Sequence, residues 1–276
     1  MSNVITLTTD FGTDDAYVAA MKGVILSINP GATIVDFCHN IQPQNIAQAA
    51  FVLSTAYHYF PEGTIHVVVV DPGVGTERRA VLLVTPSAFF IAPDNGVLSY
   101  IIEEASLETD EEPLPAGEGE TELGFGLQVF ALTNPHFWHY PVSTTFHGRD
   151  IFAPVAAHLS LGTPARDFGD LISSLFTFPP PRPQIKEDGV LTGCVLHIDH
   201  FGNLITNFKE KDLPQGRLFI EVAGHIIEDV SQSYAEASDL LAIIGSSGNL
   251  ELSLRNGSAA RLLRAKIGNE VSITTL

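Results

Sequence analysis

Cationic side chains are scarce in this sequence. Its 276 residues contain 14 Lys and Arg against 32 Asp and Glu, which gives a formal net charge of −18. Nucleic acids are bound by clustered Lys and Arg, so this balance excludes them as partners and favours small molecules, including cationic ones. Between Lys22 and Arg166 only Arg78, Arg79 and Arg149 are basic, and we expect each to have a specific local task.

Long apolar runs are also missing, and cysteine is rare. No run approaches the roughly 20 residues that a membrane-spanning helix needs, so no membrane span is predicted. Cys38 and Cys194 lie far apart in the sequence, and we expect two reduced thiols rather than a disulfide framework or a metal site. Because residues 1–5 (MSNVI) carry neither a basic region nor a leader-like apolar stretch, we expect a cytoplasmic protein.

The order of strand-like and helix-like segments divides the chain in two. Their alternation predicts an α/β domain, residues 1–177, with a mostly parallel sheet flanked by helices. Residues 178–184 (FPPPRPQ) read as a proline-rich linker. Short strand-like runs in residues 185–276 then predict a smaller all-β barrel or sandwich. The predicted helices of the first domain include 16–28, 45–57 and 151–159.

An acidic segment interrupts the first domain. Residues 103–122 contain nine Asp or Glu and neither Lys nor Arg. Pro113, Pro115 and Gly117 lie in the same segment and break helices. We therefore expect a solvated loop here.

Residues 8–15 (TTDFGTDD) form the first candidate site. They place Asp10 at the carboxyl end of the first strand, the edge at which open α/β sheets bind ligands. A carboxylate at this position can accept two hydrogen bonds from a vicinal diol, as when a ribose is bound. The alternative is a plain turn in which Asp14 and Asp15 cap the next helix.

Residues 71–79 (DPGVGTERR) form the second candidate site. Asp71 and Arg78 can close this turn with a bidentate ion pair, which fixes the guanidinium and leaves N–H donors for a cleft. A purely structural pair is the alternative. We expect Arg79 to face solvent.

Residues 145–150 (TFHGRD) form the third candidate site, just ahead of a predicted helix. Most histidines are structural or exposed, but Gly148 beside His147 lets a ligand approach the backbone. The alternative for Arg149 and Asp150 is a local pair or a helix cap.

In the second domain the candidate segments are 199–207 (DHFGNLITN), 246–249 (SSGN) and 255–258 (RNGS). Phe201 and Asn203 offer an aromatic face and an amide, which are typical of sites that hold a purine base. Asn-Gly is foremost a hairpin-turn signal, so the last segment alone favours a structural role.

Six motifs in this order resemble the S-adenosylmethionine (SAM) hydroxide adenosyltransferases, relatives of the bacterial fluorinase and chlorinase. The resemblance covers nearly the whole chain. The motifs are TDFG at 9–12, FCH at 37–39, DPGVGT at 71–76 with Arg78, APDNG at 92–96, FHGRD at 146–150 and DHFGN at 199–203.

The resemblance implies hydrolysis of SAM to adenosine and methionine by attack of water or hydroxide at ribose C5′. It also implies a homotrimer whose sites lie between one subunit's α/β domain and a neighbour's β domain. We expect no metal or other cofactor. The implied catalytic residues are Asp71, Arg78 and His147, and the implied substrate-binding residues are Asp10, Phe146, Gly148, Asp199, Phe201, Asn203, Tyr234, Ser246, Asn256 and Ser258.

Individual roles follow from the same resemblance. Asp10 falls on the position that grips the ribose hydroxyls. Asp199 and Asn203 fall on positions that hold the methionine ammonium and the adjoining ligand, and Phe201 and Asn256 would flank adenine. Two features depart from the family pattern: the acidic stretch 103–122 looks longer, and Arg255 stands where a second asparagine is expected.

The nucleophile implied by these residues is water or hydroxide rather than halide. The halogenating relatives carry an aromatic residue at the position of Asp71, Tyr at that of His147 and Ser at that of Gly148. A halide must lose its water shell to attack, which suits a dry pocket, whereas a water nucleophile needs donors and acceptors to orient it. The polar residues of this sequence favour water.

Parts of the same sequence pattern occur in proteins with three other functions. A kinase is excluded because the DFG at 10–12 lacks both a glycine-rich phosphate loop and a His-Arg-Asp segment. Calcium-dependent nucleoside hydrolases have a similar N-terminal aspartate cluster, but theirs opens with Asp where this chain has Thr8, and a hard cation tolerates that loss poorly. A sensor that binds SAM or adenosine without turnover is the non-enzymatic alternative.

Overall fold

The computed structural model describes residues 3–108, 117–124, 126–235 and 239–275. The chain divides into two compact units, Met1–Pro179 and Pro180–Leu276, so the division falls inside the segment predicted as a linker. Two hydrophobic clusters form the core of the first unit, and one forms that of the second. The predicted fold class, an α/β domain followed by a β domain, is confirmed.

The described residues of the first unit form nine strands and four α-helices. The strands are β1 (Val4–Thr9), β2 (Thr33–Cys38), β3 (Thr64–Val69), β4 (Ala80–Val84), β5 (Ala88–Pro93), β6 (Gly119–Glu122), β7 (Gln128–Ala131), β8 (Leu171–Ile172) and β9 (Ser174–Thr177). The helices are α1 (Tyr17–Ile28), α2 (Ile46–Ser54), α3 (Ser99–Glu108) and α4 (Ala153–Ser160). A π-helical turn, Gly148–Phe152, directly precedes α4. Short 3-10 turns occur at Tyr57–Tyr59, Pro135–Phe137 and Ala165–Phe168.

The main sheet of this unit has the strand order β2-β1-β3-β5-β4-β7-β8. Its first four strands are parallel, and β4, β7 and β8 continue it in antiparallel fashion. One face of the sheet packs against α1 and α4, the other against α2 and α3. Strand β3 is buried along its whole length, so that even its polar residues Thr64 and His66 lie in the interior.

Two local predictions are wrong. Helix α1 begins at Tyr17 after Ala16, without a side-chain cap, so Asp14 and Asp15 do not cap it. The acidic segment is not a loop throughout, because residues 103–108 continue α3 and residues 119–122 form β6, which pairs with β9. Buried Ile101 and Ile102 anchor α3 and explain why the helix extends into acidic sequence. Residues 109–116 lie outside the described residues.

The described residues of the second unit form nine strands and one short helix. The strands are β10 (Gln184–Ile185), β11 (Leu191–Ile198), β12 (Leu204–Lys209), β13 (Leu218–Val222), β14 (His225–Glu228), β15 (Val230–Ser231), β16 (Leu240–Ile244), β17 (Asn249–Leu254) and β18 (Glu270–Thr275); the helix is α5 (Ala259–Leu263). A short 3-10 turn, Glu210–Asp212, follows β12. The strand order is β14-β13-β18-β11-β12-β17-β16-β15, with β10 on β11. Because β14 also contacts β16, the sheet curls into a nearly closed barrel.

The cysteines and the helix lengths bear on two expectations from composition. Cys38 and Cys194 are both free thiols. Across the ranges given above, no helix combines the length and the apolar character needed to cross a bilayer.

One histidine is buried in the middle of the first unit's sheet. His66 on β3 is fully buried, and its ring stacks on Phe90 with 5.1 Å between the ring centroids. Its Nδ1 bonds to the Thr6 hydroxyl at 2.8 Å, whereas its Nε2 has no hydrogen-bond partner among the described residues. Burial lowers the pKa of His66 to about 4, because charging the ring would leave an ion in an apolar environment.

We expect His66 to make the protein sensitive to acid. Because its pKa is about 4 when folded and about 6.5 when unfolded, its stabilising effect is complete above pH 6.5 and is lost as pH falls towards 4. Through His66 alone, the unfolding free energy should fall by about 2 kcal/mol when the pH is lowered from 7 to 5. Urea denaturation of the wild type and His66→Phe at both pH values measures the difference. An equal loss in both proteins would contradict the assignment.

Candidate active site

Three loops of the first unit carry the predicted site residues. Asp10 follows β1 and Asp71 follows β3, at the carboxyl ends of neighbouring parallel strands, while His147 immediately precedes the π-helical turn. The Asn95 amide, just after β5, donates to the Val70 carbonyl at 2.9 Å and so fixes the chain next to Asp71. This edge of the sheet is where ligands bind in open α/β folds.

Asp71 and Arg78 form the predicted ion pair. Arg78 Nε lies 2.9 Å and 3.1 Å from the two carboxylate oxygens of Asp71, and Arg78 Nη2 also contacts Asp71 Oδ2. Both side chains are largely buried, with exposed fractions of 10% for Arg78 and 5% for Asp71. The guanidinium plane packs over the Phe152 ring, 5.4 Å from its centroid. The Asp71 carboxylate and the Phe152 ring therefore fix the orientation of the guanidinium.

The same guanidinium reaches His147. Arg78 Nη2 lies 2.8 Å from His147 Nδ1. Because a guanidinium has only donors, Nδ1 must accept this hydrogen bond and the proton of the neutral ring resides on Nε2. Burial and the charge of Arg78 lower the pKa of His147, against the opposing effect of Asp71 and Asp150. His147 is thus held neutral, and among the described residues its Nε2–H has no hydrogen-bond partner.

A fully buried carboxylate supports the His147 loop. Asp150 accepts hydrogen bonds from the Ser143 backbone N–H at 2.8 Å and from Arg149 Nε at 2.6 Å. Burial would raise the pKa of Asp150, but these hydrogen bonds and the charge of Arg149 bring it below its usual value. Arg149 also lies over the Phe146 ring, 5.3 Å from its centroid. The local Arg149–Asp150 pair, which was the structural alternative for these residues, is present, but Asp150 does not cap the helix.

An aromatic cluster joins the Asp10 loop to the His147 loop. The rings of Phe11, Tyr17 and Phe146 contact one another with centroid distances of 5.3 to 5.7 Å. Asp10 accepts a hydrogen bond from the Gln44 backbone N–H at 2.7 Å through Oδ2. The Asp10 loop is therefore in contact with the loop that carries Phe146 and His147.

Gly148 fits a narrow space. An added Cβ would lie 3.3 Å from atoms of Met21, Val69 and Phe146, closer than most side-chain contacts. Even a serine here would push on three neighbours at once. This packing gives a physical reason for the glycine.

The expectation that Arg79 faces solvent is wrong. Arg79 Nε donates to Asp94 Oδ2 at 2.7 Å, and Arg79 Nη2 donates to Glu120 at 2.7 Å and to the Ser174 carbonyl at 3.3 Å. Asp94 is itself almost completely buried and needs a cation beside it. The sequence could not show this because Glu120 and Ser174 are far from Arg79 along the chain.

In the second unit, Asp199 and Asn203 close the turn between β11 and β12. Asp199 accepts from the Asn203 backbone N–H and from its side-chain Nδ2, both at 2.8 Å. A Cβ at Gly202 would overlap Ser258 Oγ at 2.0 Å, so this turn packs directly on Ser258. The Ser258 hydroxyl in turn caps α5 through the Arg261 N–H at 3.2 Å. Asp199, Asn203 and Ser258 are thus brought together.

The other predicted residues of the second unit surround this turn or lie in neighbouring turns. Phe201 presents its ring to solvent, with 73% of the residue exposed, and Tyr234 is half exposed. Ser246 is exposed in the turn between β16 and β17. Asn256 follows β17 with a left-handed φ of 58°. An exposed ring such as that of Phe201 is available for stacking.

Sequence reasoning missed Glu251. This residue of β17 is 92% buried from solvent, since only 8% of it is exposed, and its carboxylate lies 3.5 Å from the Tyr234 hydroxyl. Burial and the nearby charge of Asp199 raise the pKa of Glu251, while Tyr234 opposes them. An acidic residue between the apolar Leu250 and Leu252 was the available signal.

The first unit's site combines a fixed positive charge with a fixed imidazole donor. Arg78 and the Nε2–H of His147 are both donors, and the charge of Arg78 is already directed by Asp71. Such a group can hold and orient a water molecule or a hydroxide ion. Within the described residues there is no cluster of three or more His, Cys, Asp or Glu placed to hold a metal ion.

Comparisons with known proteins point to one family. Residues 5–169 match the model of the SAM hydroxide adenosyltransferase N-terminal domain, and residues 193–272 match that of the C-terminal domain. The chain is 35% identical to an (R)-S-adenosyl-L-methionine hydrolase of Salinispora arenicola, over 98% of this chain and 97% of the relative. It is 28% identical to a fluorinase of an Actinoplanes species, over 98% and 97% of the two chains.

A solved structure agrees over the same length. The crystal structure of a conserved protein from Thermotoga maritima superposes with a TM-score of 0.84 and 33% sequence identity, covering 98% of this chain and 99% of that one.

Gly75 tests how closely the Asp71 and His147 loops are coupled. Its φ is +78°, and a Cβ there would lie 2.3 Å from the Thr144 carbonyl oxygen, so Gly75→Ala must push the loops apart. Gly162 also has a positive φ, +94°, but has open space around it. We expect Gly75→Ala to lower the unfolding free energy by about 1 to 3 kcal/mol more than Gly162→Ala. Equal losses in denaturant titrations would contradict the coupling.

Proposed function

This chain belongs to the SAM hydroxide adenosyltransferase family, and we propose that it hydrolyses SAM to adenosine and L-methionine. The observation that carries the proposal is the fixed Asp71–Arg78–His147 group, in which an ion-paired guanidinium orients a neutral imidazole. Relatives of similar length at 35% identity are named SAM hydrolases, which supports the same substrate here.

The reaction needs a nucleophile more than it needs an acid. The oxygen of water forms a bond to ribose C5′ while the C5′–S bond breaks. The electron pair of that bond goes to sulfur, which leaves as a neutral thioether, and one proton is released from the attacking water. Because a sulfonium is already a good leaving group, no general acid and no metal are required, and we propose that the enzyme uses no cofactor.

Positioning is therefore the main contribution of the protein. His147 would hold one water molecule or hydroxide ion through Nε2–H in line with the C–S bond, while Arg78 fixes the ring through Nδ1 and supplies a positive charge nearby. Holding two reactants in attack geometry can lower a barrier by about 7 kcal/mol or more. Fixed donors in a largely buried site add electrostatic stabilisation without further reorganisation.

The tautomer of His147 favours one of two routes to the nucleophile. In the first route, Arg78 and His147 stabilise a hydroxide ion; in the second, His147 removes a proton from water. In the second route Nε2 must accept the proton from water, so the proton of the neutral ring must already be on Nδ1. That proton would point at an N–H of Arg78, and two donors would face each other. We propose the first route, with His147 as a donor through Nε2–H.

Substrate binding is divided between the two groups of residues described above. In this proposal Asp10 accepts hydrogen bonds from the ribose diol, and Phe146 and Gly148 line the pocket beside the reacting carbon. Asp199 and Asn203 face the methionine ammonium and the adjoining ligand, with Tyr234, Ser246 and Ser258 nearby. Phe201 and Asn256 flank adenine. The exposed ring of Phe201 supports its part in this assignment.

Water rather than halide is the proposed nucleophile. The Asp71–Arg78 pair and the Nε2–H of His147 give the site charge and donors, which orient water but leave a halide solvated. The higher identity to a SAM hydrolase than to a fluorinase, 35% against 28%, points the same way.

We further propose a homotrimer that works in the cytoplasm. The trimer comes from the family resemblance, in which residues of neighbouring subunits complete each site. The cytoplasm agrees with two free thiols, because a reducing compartment keeps cysteines unpaired.

The alternatives have less support. A calcium-dependent nucleoside hydrolase does not account for the match of both domain models over most of the chain. A sensor that binds SAM without turnover does not account for relatives over nearly the whole chain that are named SAM hydrolases.

Isotope labelling tests the reaction. Incubation with SAM in H₂¹⁸O should release methionine and adenosine in equal amounts, with ¹⁸O in the adenosine 5′-hydroxyl, and neither EDTA nor chloride should change the rate. Mass spectrometry of the products measures both results. Binding without methionine release would favour the sensor, whereas adenine release that depends on calcium would favour the nucleoside hydrolase.

Substitutions test the catalytic group. Arg78→Lys keeps the charge but loses the planar fork, and His147→Gln removes the imidazole donor; each should lower kcat by about 10²-fold, with folding checked by circular dichroism. Arg79→Lys is the matched control, since Arg79 contacts Asp94 and Glu120 instead, and its kcat should stay near that of the wild type. Full activity in an Arg78→Ala, His147→Ala double variant would refute the assignment.

A further inference from the structure

A row of hydrogen bonds leads from the surface of the first unit to the turn that carries Asp10. Lys22 Nζ donates to Asp36 at 2.7 Å, and Asp36 Oδ1 lies 2.9 Å from His39 Nε2. His39 follows β2 and is 93% buried, with 7% exposed. It belongs to the FCH motif at 37–39, for which neither the catalytic group nor the proposed substrate contacts provide a role.

The row continues from His39 into β1. His39 Nδ1 lies 2.9 Å from Thr9 Oγ1, and the Phe11 backbone N–H donates to the same oxygen at 3.2 Å. The Gly12 N–H donates to the His39 carbonyl oxygen at 2.8 Å. Both arms of the turn around Asp10 are thus tied to one residue, His39.

The donor and acceptor inventory gives these bonds a single direction. A carboxylate accepts only, so His39 Nε2 carries a proton and donates to Asp36. The Nδ1 of the neutral ring then accepts from the Thr9 hydroxyl, which leaves the lone pairs of Thr9 for the Phe11 N–H. In this arrangement every buried polar hydrogen of the row has a partner, which a doubly protonated His39 would not allow.

Thr9 cannot touch a ligand, because it is fully buried. Its effect must therefore pass through the backbone. It fixes the peptide on either side of Asp10, while the Gln44 N–H holds Asp10 Oδ2 at 2.7 Å from the other direction. These constraints set both the position and the rotation of the Asp10 carboxylate.

We propose that Asp36, His39 and Thr9, here called the relay, position Asp10 for a vicinal diol such as the 2′,3′-hydroxyls of a ribose. The members of the relay are positioning residues, and none of them reacts. Bidentate binding of two hydroxyls depends on the rotation of the carboxylate, which the Gln44 hydrogen bond alone does not fix. The inference rests on the proposed function, in which the substrate is a ribonucleoside sulfonium.

The test compares adenosine with 2′-deoxyadenosine, which lacks one hydroxyl of the diol. Titration calorimetry should show that the wild type prefers adenosine and that Thr9→Val lowers this preference by about tenfold, because one buried hydrogen bond is lost and the turn is released. Thr9→Ser, which keeps the hydroxyl, should restore most of the preference. For SAM, the KM of Thr9→Val should rise more than its kcat falls.

Thr6→Val provides a matched control. Thr6 lies on the same strand, is equally buried, and also bonds a histidine, with 2.8 Å between Thr6 Oγ1 and His66 Nδ1. Its partner sits in the interior of the sheet and not at the ligand edge. Thr6→Val should therefore lower stability by an amount comparable to Thr9→Val and keep the wild-type preference for adenosine.

The outcomes separate the relay from the proposed function. An unchanged preference in Thr9→Val, an equal loss in Thr6→Val, or a wild type that binds both nucleosides equally would overturn the relay. Failure of the wild type to hydrolyse SAM would contradict the proposed function instead, and this is measured without any variant.

Discussion

The ion pair between Arg78 and Asp71 is the interaction on which the site depends. Because both side chains are almost entirely buried, neither charge is tolerable without the other. The pair fixes the guanidinium, which determines the tautomer of His147 and the direction of its remaining N–H. The backbone contact of Gly75 with Thr144 holds the two loops at the distance this hydrogen bond needs.

The three isolated arginines of the first half share one physical task. Arg78 neutralises Asp71, Arg79 neutralises Asp94 and Arg149 neutralises Asp150. The three aspartates have exposed side-chain fractions of 5%, 4% and 0%. Each of these three arginines therefore lies where a carboxylate has been removed from water. Only Arg78 also has a donor directed at another functional side chain, which distinguishes a catalytic candidate from two structural cations.

The sequence was sufficient for local features and insufficient for long-range ones. Apolar runs and turn residues predicted the fold class, and the seven-residue spacing across a glycine-rich turn predicted the Asp71–Arg78 pair. The contacts of Thr9 with His39 and of Arg79 with Glu120 depend on strand order, which periodicity does not contain. Helix α1 is a local feature that the sequence predicted wrongly. Two aspartates typical of a helix start precede it, but the helix begins only at Tyr17 and neither of them caps it.

The π-helical turn Gly148–Phe152 sets the direction in which His147 points. A π-turn fits about one more residue into a turn than an α-helix does, and His147 stands at its first end while α4 continues from the other. If this segment became a regular α-helix at unchanged length, the residues that precede it would rotate by about 100° around the helix axis. His147 would then face away from Arg78. The backbone geometry of the turn is therefore a constraint on the site, independent of which side chains occupy the turn.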